Sequence, residues 1–289
     1  MRERDDTTTI PSNSQVPGPV VRACDNAVMP ASWTLSGPYF LVFAFLCGVA
    51  GFRVGWRLRG RFLLPVCQGL FGWMAFLAAW RFVGAAWAAG AVLAWALGTT
   101  LASVHAFLRH PREADERVLR ARTYREGMLE WIETGRGPEQ RPAATSASHA
   151  RETIWYAAAA VLTANLASIG LGAVLLNYMN AYVATLLRAA VMPGRVLLLA
   201  WNVWSVTRVV AYVLLGAAAA GPMLRVFGWG ADATVLRRLA IAAGAGLVLD
   251  LSLKLALSRR CAAALAASVD VQAARAGRSA SHPLVLDLD

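Results

Sequence analysis

Charge is scarce in this sequence. Only 16% of its 289 residues are Asp, Glu, Lys or Arg, against about 25% in a typical soluble domain. A chain so poor in charge has too little polar surface to cover itself in water. Lysine is almost missing: Lys254 is the only one among 28 cationic residues, and the rest are arginine. Cysteine is sparse too. Cys24, Cys47, Cys67 and Cys261 show no CxxC or His/Cys ligand spacing, which argues against a zinc site or a disulfide framework. The chain has no P-loop, HExxH, GxSxG or dinucleotide fingerprint. His105 and His110 are five residues apart, so they diverge around a helix rather than clasp a metal, and His149 stands alone in a polar loop. No metal or cofactor is expected.

What the chain does have is apolar residues, 57% of the total, gathered in long blocks. That pattern is an all-α, polytopic membrane helical bundle rather than a greasy soluble core. The net charge of +11 comes mostly from arginines just beyond the ends of apolar runs, where membrane topology places them. No basic stripe interleaves with aromatics, so nucleic acid is not an expected partner. The lipid bilayer is, with a lipid or another membrane protein as a further candidate.

Residues 1–38 hold acids, hydroxyls and prolines without a sustained apolar run and are expected to be disordered. No early apolar region marks a cleavable signal. A three-span unit follows at 39–108, with crossings at Tyr39–Trp56, Phe62–Trp80 and Gly84–Phe107, the last two forming a hairpin at Arg81. Residues 109–152 are a long polar loop. One helix is expected there, with Pro111 in its first turn and Gly135 and Gly137 at its end, lying on the membrane surface. A second three-span unit occupies 153–260. Its crossings are expected at Ile154–Leu176, with a break around Asn177–Asn180, then at Val196–Leu224 and Leu239–Leu257. Residues 261–289 read as a short helix and a polar tail. About six spans in a 3 + 3 arrangement put both termini on one side. Fifteen arginines then flank the loop side against ten opposite, so the loop is expected in the cytoplasm.

Charges inside hydrocarbon are costly and invite a functional explanation. Arg208 falls near the centre of the fifth expected span, and Asp250 and Lys254 fall in the sixth. The i,i+4 spacing places Asp250 and Lys254 on one helical face, and Arg208 on the adjacent span is able to share Asp250. With Asn202 they form a candidate intramembrane polar cluster. It lines a path for a solute, or it is an ion pair that locks two helices. Asn165, Asn177 and Asn180 mark a candidate helix-break site; interhelical amide bonds explain the same residues, or Asn177 and Asn180 with Tyr178 and Tyr182 line a site at a helix end.

One stretch resembles the TLC (TRAM–LAG1–CLN8) domain, in particular its ceramide-synthase-like branch. Asn165, Ile169, Gly170, Val174, Leu175 and Leu176 in NLASIGLGAVLLNYMNA stand close to that family's span pattern, and Trp204, Thr207 and Arg208 in Trp204-Ser205-Val206-Thr207-Arg208 match its next span. The resemblance covers residues 149–260 and implies a lipid-related role. Where the family carries its catalytic His-Asp and a further Asp, this chain has Asn177, Tyr178 and Ala181, and of the paired histidines before the span only His149 stands. Those departures point to lipid binding or regulation rather than acyl transfer.

Three functions are therefore open. The first is a non-enzymatic scaffold, assembly or regulatory membrane subunit. The second is a small-solute or ion transporter using Arg208 and Asp250. The third is a TLC-like lipid-binding protein or lipid enzyme. The absence of catalytic motifs leans away from an enzyme, and no catalytic residue is assigned.

Overall fold

The computed structural model describes residues 36–135 and 142–277, with side chains at 37–135 and 149–277. The expected tails, apart from 36–38 and 261–277, and Gly137 lie outside the described residues. Among those described, all regular structure is helical, and Ala190 and Val269 form one isolated antiparallel bridge. The helices are α1 (Ser36–Arg57), α2 (Leu63–Phe82), α3 (Ala85–Arg109), α4 (Pro111–Arg117), α5 (Ala121–Thr134) and α6 (Pro142–Leu162). Then come α7 (Leu166–Arg188), α8 (Pro193–Ala200), α9 (Val203–Val226), α10 (Ala233–Ala266) and α11 (Val271–Ala276). Six of them, α1, α2, α3, α7, α9 and α10, are long and apolar enough to cross a membrane. The protein is a multi-pass helical membrane bundle.

Small residues set how closely the first three helices approach. A Cβ on Gly48 would lie 2.2 Å from the Trp95 carbonyl oxygen, and one on Gly98 would lie 2.2 Å from that of Phe45. α1 and α3 therefore touch backbone to backbone, as small residues permit between membrane helices. Gly51 and Gly55 of the GxxxG segment face α2 instead, at Gln68 and Leu64. α2 and α3 meet at Gly84, whose φ of +112° suits glycine.

Contacts at the helix ends define the direction of each helix. At the loop end, Arg117 donates to the Trp56 carbonyl and Arg188 to that of Gly277. The Trp131 and Trp204 rings also meet edge-on there. α1, α3 and α7 finish at this end, and α9 begins there. At the far end Trp80 Nε1 donates to the Trp229 carbonyl, joining the end of α2 to the turn between α9 and α10.

α6 changes the path expected from hydropathy. It runs parallel to α9 down the bundle: His149 and Glu152 lie beside Arg208, Tyr156 stacks on Tyr212, and Asn165 beyond its end meets Gly216. Its first half, PAATSASHARE, is too polar to score as a span. Its second half is apolar, with Ile154, Trp155 and Leu162 exposed on the outer surface. α7 then climbs back to the loop end. Because α6 descends, α1 begins at the far end and α10 finishes at the loop end, which corrects the expected same-side arrangement. Among the described residues, Arg81, Arg225, Arg237 and Arg238 flank helices at the far end. Arg57, Arg59, Arg61, the arginines of 109–125, Arg188, Arg195, Arg259, Arg260 and Arg275 gather at the other.

Several boundaries move as well. The chain breaks at Thr163–Asn165, not at Asn177–Asn180, and α7 runs unbroken through both asparagines. Ala164 and Asn165 take left-handed φ values of +47° and +74°. The turn satisfies its own backbone. Asn165 N donates to the Ala160 carbonyl, Ala167 N to Thr163 Oγ1, and Trp73 Nε1 to the Ala164 carbonyl. A turn beside mid-α2 Trp73, with no water at hand, requires that closure.

The fifth span starts at Val203, because Trp201 and Asn202 leave helical geometry and separate α8. The sixth starts earlier, at Ala233, where the Asp232 carboxylate accepts from Thr234 N as an N-cap. It runs on to Ala266, absorbing the alanines after Cys261. The single expected loop helix is two, α4 and α5, parted at Val118–Arg120, where Arg120 has φ +60°. Gly135 closes α5 in a left-handed cap.

Candidate functional site

α9 and α10 pack side by side over their length, and that contact brings Arg208 to Asp250. Arg208 Nε donates to Asp250 Oδ2 at 2.9 Å, and Nη2 to Oδ1 at 3.1 Å. This fork is the strongest geometry a guanidinium offers a carboxylate. Asp250 is only 1% exposed, and burying a charge is costly without a paired, hydrogen-bonded partner. Lys254, one turn further along α10, is buried as well.

Arg208 is five residues inside α9 and so lies near the loop end rather than mid-span, a consequence of the break at Trp201–Asn202. His149 is not isolated in a loop. It stands on the polar half of α6, with Nδ1 3.8 Å from Asp250 Oδ2. Its pKa lies below the ordinary value, first because of burial and then because of Arg208 and Lys254. Neutral His149 leaves Arg208 and Lys254 balanced by Asp250 and Glu152.

This cluster borders a cavity of about 110 Å³ between α3, α5, α6, α7 and α9. Its rim carries hydrogen-bonding groups: Arg208, Glu152, Ser205, Tyr124, Tyr156, Tyr178 and Tyr212. Its floor is apolar, built from Val92, Trp95, Ile169, Leu176 and Val213. Tyr156 and Tyr212 stack with centroids 4.9 Å apart. Tyr124 comes from loop helix α5 and meets Tyr178 at 4.5 Å, so the loop contributes directly to the rim. Asp250 is not part of the lining. It holds Arg208 from behind.

The remaining sequence candidates separate from this site. Asn177 faces Gln68 across α2 and α7 in a reciprocal amide pair, both buried. Asn180 Nδ2 donates to Ser103 Oγ at 2.8 Å, and its Oδ1 accepts from Trp201 Nε1 at 3.3 Å. Asn202 Oδ1 accepts from Cys261 Sγ at 3.1 Å. Asn165 is at the helix break, its Oδ1 buried without a hydrogen-bond donor and pressed towards Gly216. The amides of Asn177, Asn180 and Asn202 join helices.

Sequence reasoning missed Gln68, although a lone amide in an apolar span carries the same signal as Asn165. It also missed Glu152, His149 as a neighbour of Asp250, and Tyr124, Tyr156 and Tyr212 as companions of Tyr178, because no local pattern joins residues so distant in the chain. Among the described residues no three His, Cys, Asp or Glu side chains are grouped to hold a metal ion. The arrangement is equipped to hold a polar head by hydrogen bonds above an apolar pocket. No family model, no curated protein and no solved structure matches the chain.

Proposed function

We propose that this chain is a non-enzymatic membrane protein that holds a small amphiphile of little net charge in the cavity between α3, α6, α7 and α9. One observation carries the reading. The cavity joins an apolar floor to a rim of tyrosine hydroxyls and charged groups whose signs cancel. Ligand pockets have this composition, apolar walls with a few placed polar groups. The resemblance to the TLC domain supports a lipid as ligand class, since Ile169, Leu175, Leu176 and Arg208 of its two motifs line the cavity. The guanidinium of Arg208 engaged by Asp250, and a cavity of only about 110 Å³, favour holding a ligand over conducting one. The excess of arginine at the loop end favours a cytoplasmic loop.

Gly172 provides the test. It lines the cavity, and a Cβ added there meets nothing within 4 Å, so Gly172→Leu fills the space without a clash at its root. Extraction and mass spectrometry of detergent-purified protein should find an amphiphile with the wild type and lose it with G172L, while both remain monodisperse. The same small molecules recovered from both proteins would overturn the reading.

A further inference from the structure

A second site lies on the opposite flank of α3, away from the tyrosine cavity and independent of it. α1 and α3 run parallel and finish together at the loop end, leaving a groove of about 600 Å³ between them. Arg53 and Arg57 are one turn apart on α1. His105 and Arg109 are one turn apart on α3, and His110 follows. The like charges of Arg53 and Arg57 repel at that spacing along a helix, and Arg109 adds a third across the groove. No carboxylate lines the groove. Glu113 pairs with Arg117 and lies 3.6 Å from His110. Among the described residues Arg53, Arg57 and Arg109 form no ion pair. Arg117 is engaged elsewhere, with its guanidinium 4.5 Å over the Trp56 ring, and so fixes one wall.

We infer that this groove binds the headgroup of an anionic phospholipid from the surrounding bilayer. Charge complementarity selects an anion, and the surface below the arginines selects a lipid. Val49 and Leu101, two turns deeper than Arg57 and Arg109, floor the groove at a depth of about 12 Å. Below them Val42, Leu46 and Leu97 are all more than half exposed on the same two helices. A phosphate among the arginines thus places its acyl chains on an apolar surface already at hydrocarbon depth. Basic pockets between helices on the cytoplasmic side of a membrane bind such headgroups.

Native mass spectrometry of the full chain in a non-ionic detergent tests this, with equimolar palmitoyl-oleoyl phosphatidylglycerol and phosphatidylcholine as probes. Wild-type protein should retain phosphatidylglycerol with a preference on the order of 10- to 100-fold. R57Q/R109Q should fall close to parity. R57Q alone, at an exposed position, should be intermediate. R237Q/R238Q at the far end should keep the wild-type preference. No preference in the wild type, or a preference that survives R57Q/R109Q, would refute the site. Equal loss in R237Q/R238Q would refute it too, showing a general charge effect. Displacement of the lipid by millimolar glycerol phosphate would overturn the lipid assignment in favour of a soluble anion.

Discussion

Gln68 and Asn177 exchange hydrogen bonds in both directions. Gln68 Nε2 donates to Asn177 Oδ1 at 3.0 Å and Asn177 Nδ2 to Gln68 Oε1 at 2.6 Å, tying α2 to α7 in the buried interior. Each amide consumes one donor and one acceptor of the other. Removing one partner leaves the other unsatisfied where water does not reach, which costs about 1–3 kcal/mol. Gln68→Leu and Asn177→Leu should each destabilise by that amount, and the double variant should recover most of it. Unfolding curves in detergent for the four proteins measure the coupling. Additive losses would show that the pair does not act as a unit.

The Arg208–Asp250 fork should behave in the same way but with larger amplitude. Asp250→Asn removes the charge that accepts the guanidinium fork, and breaking a buried pair on one side costs about 3–5 kcal/mol. The yield of monodisperse protein should therefore drop for D250N and return for R208Q/D250N. If D250N folds normally and loses only the bound amphiphile, the carboxylate serves the site rather than the bundle.

Acid should weaken the contact between α6 and α10. The pKa of His149 in the folded protein lies below its ordinary value of 6.5, so the unfolded chain takes up the proton first. Stability then declines as pH falls below 6.5 and continues to decline towards the lowered folded-state value. The groups that face the imidazole are Arg208, Lys254, Asp250 and Glu152. His149→Gln should flatten this part of a stability–pH profile while leaving the neutral-pH value nearly unchanged. An unaltered slope would mean that another group sets it.

The turn between α6 and α7 should tolerate little. A Cβ on Gly216 would lie 2.6 Å from Asn165 Oδ1, and forced overpacking costs about 1–3 kcal/mol. Gly216→Ala should lose stability, and Asn165→Ala should restore most of it by removing the obstructing amide. Gly244→Ala, where an added Cβ meets nothing within 4 Å, is the matched control. Equal losses at Gly216 and Gly244 would place the effect elsewhere than the turn.

Labelling tests the path of the chain. In a background without the native cysteines, impermeant maleimide should reach Gly60→Cys and Gly194→Cys from one side of the membrane and Gly228→Cys from the other. Thr163→Cys should resist from both sides. Strong labelling of position 163 together with 228 would show that the α6–α7 turn emerges into water.

The apolar blocks were legible because hydrocarbon imposes one demand on every spanning segment. Each needs about 20 apolar residues with its backbone bonded internally, and that demand is written locally in 39–108 and in 203–257. α6 escaped because its first half carries His149, Arg151 and Glu152, which the bundle shelters beside Arg208 and Asp250. The break at Ala164–Asn165 escaped for a related reason. It has no glycine or proline, and its left-handed residues are held by a bond from Trp73, ninety-one residues away.

By itself the sequence determined that the chain is a membrane helical bundle and which polar residues it carries into the apolar interior. The α9–α10 packing then chose Arg208 as the partner of Asp250, and α2 supplied Gln68 to Asn177. The descent of α6 set the two ends of the bundle apart. Hydrophobic length acts residue by residue and can be read along the chain. Pairing of buried charges and amides depends on which helix faces lie within about 3 Å of each other, and only the folded bundle decides that.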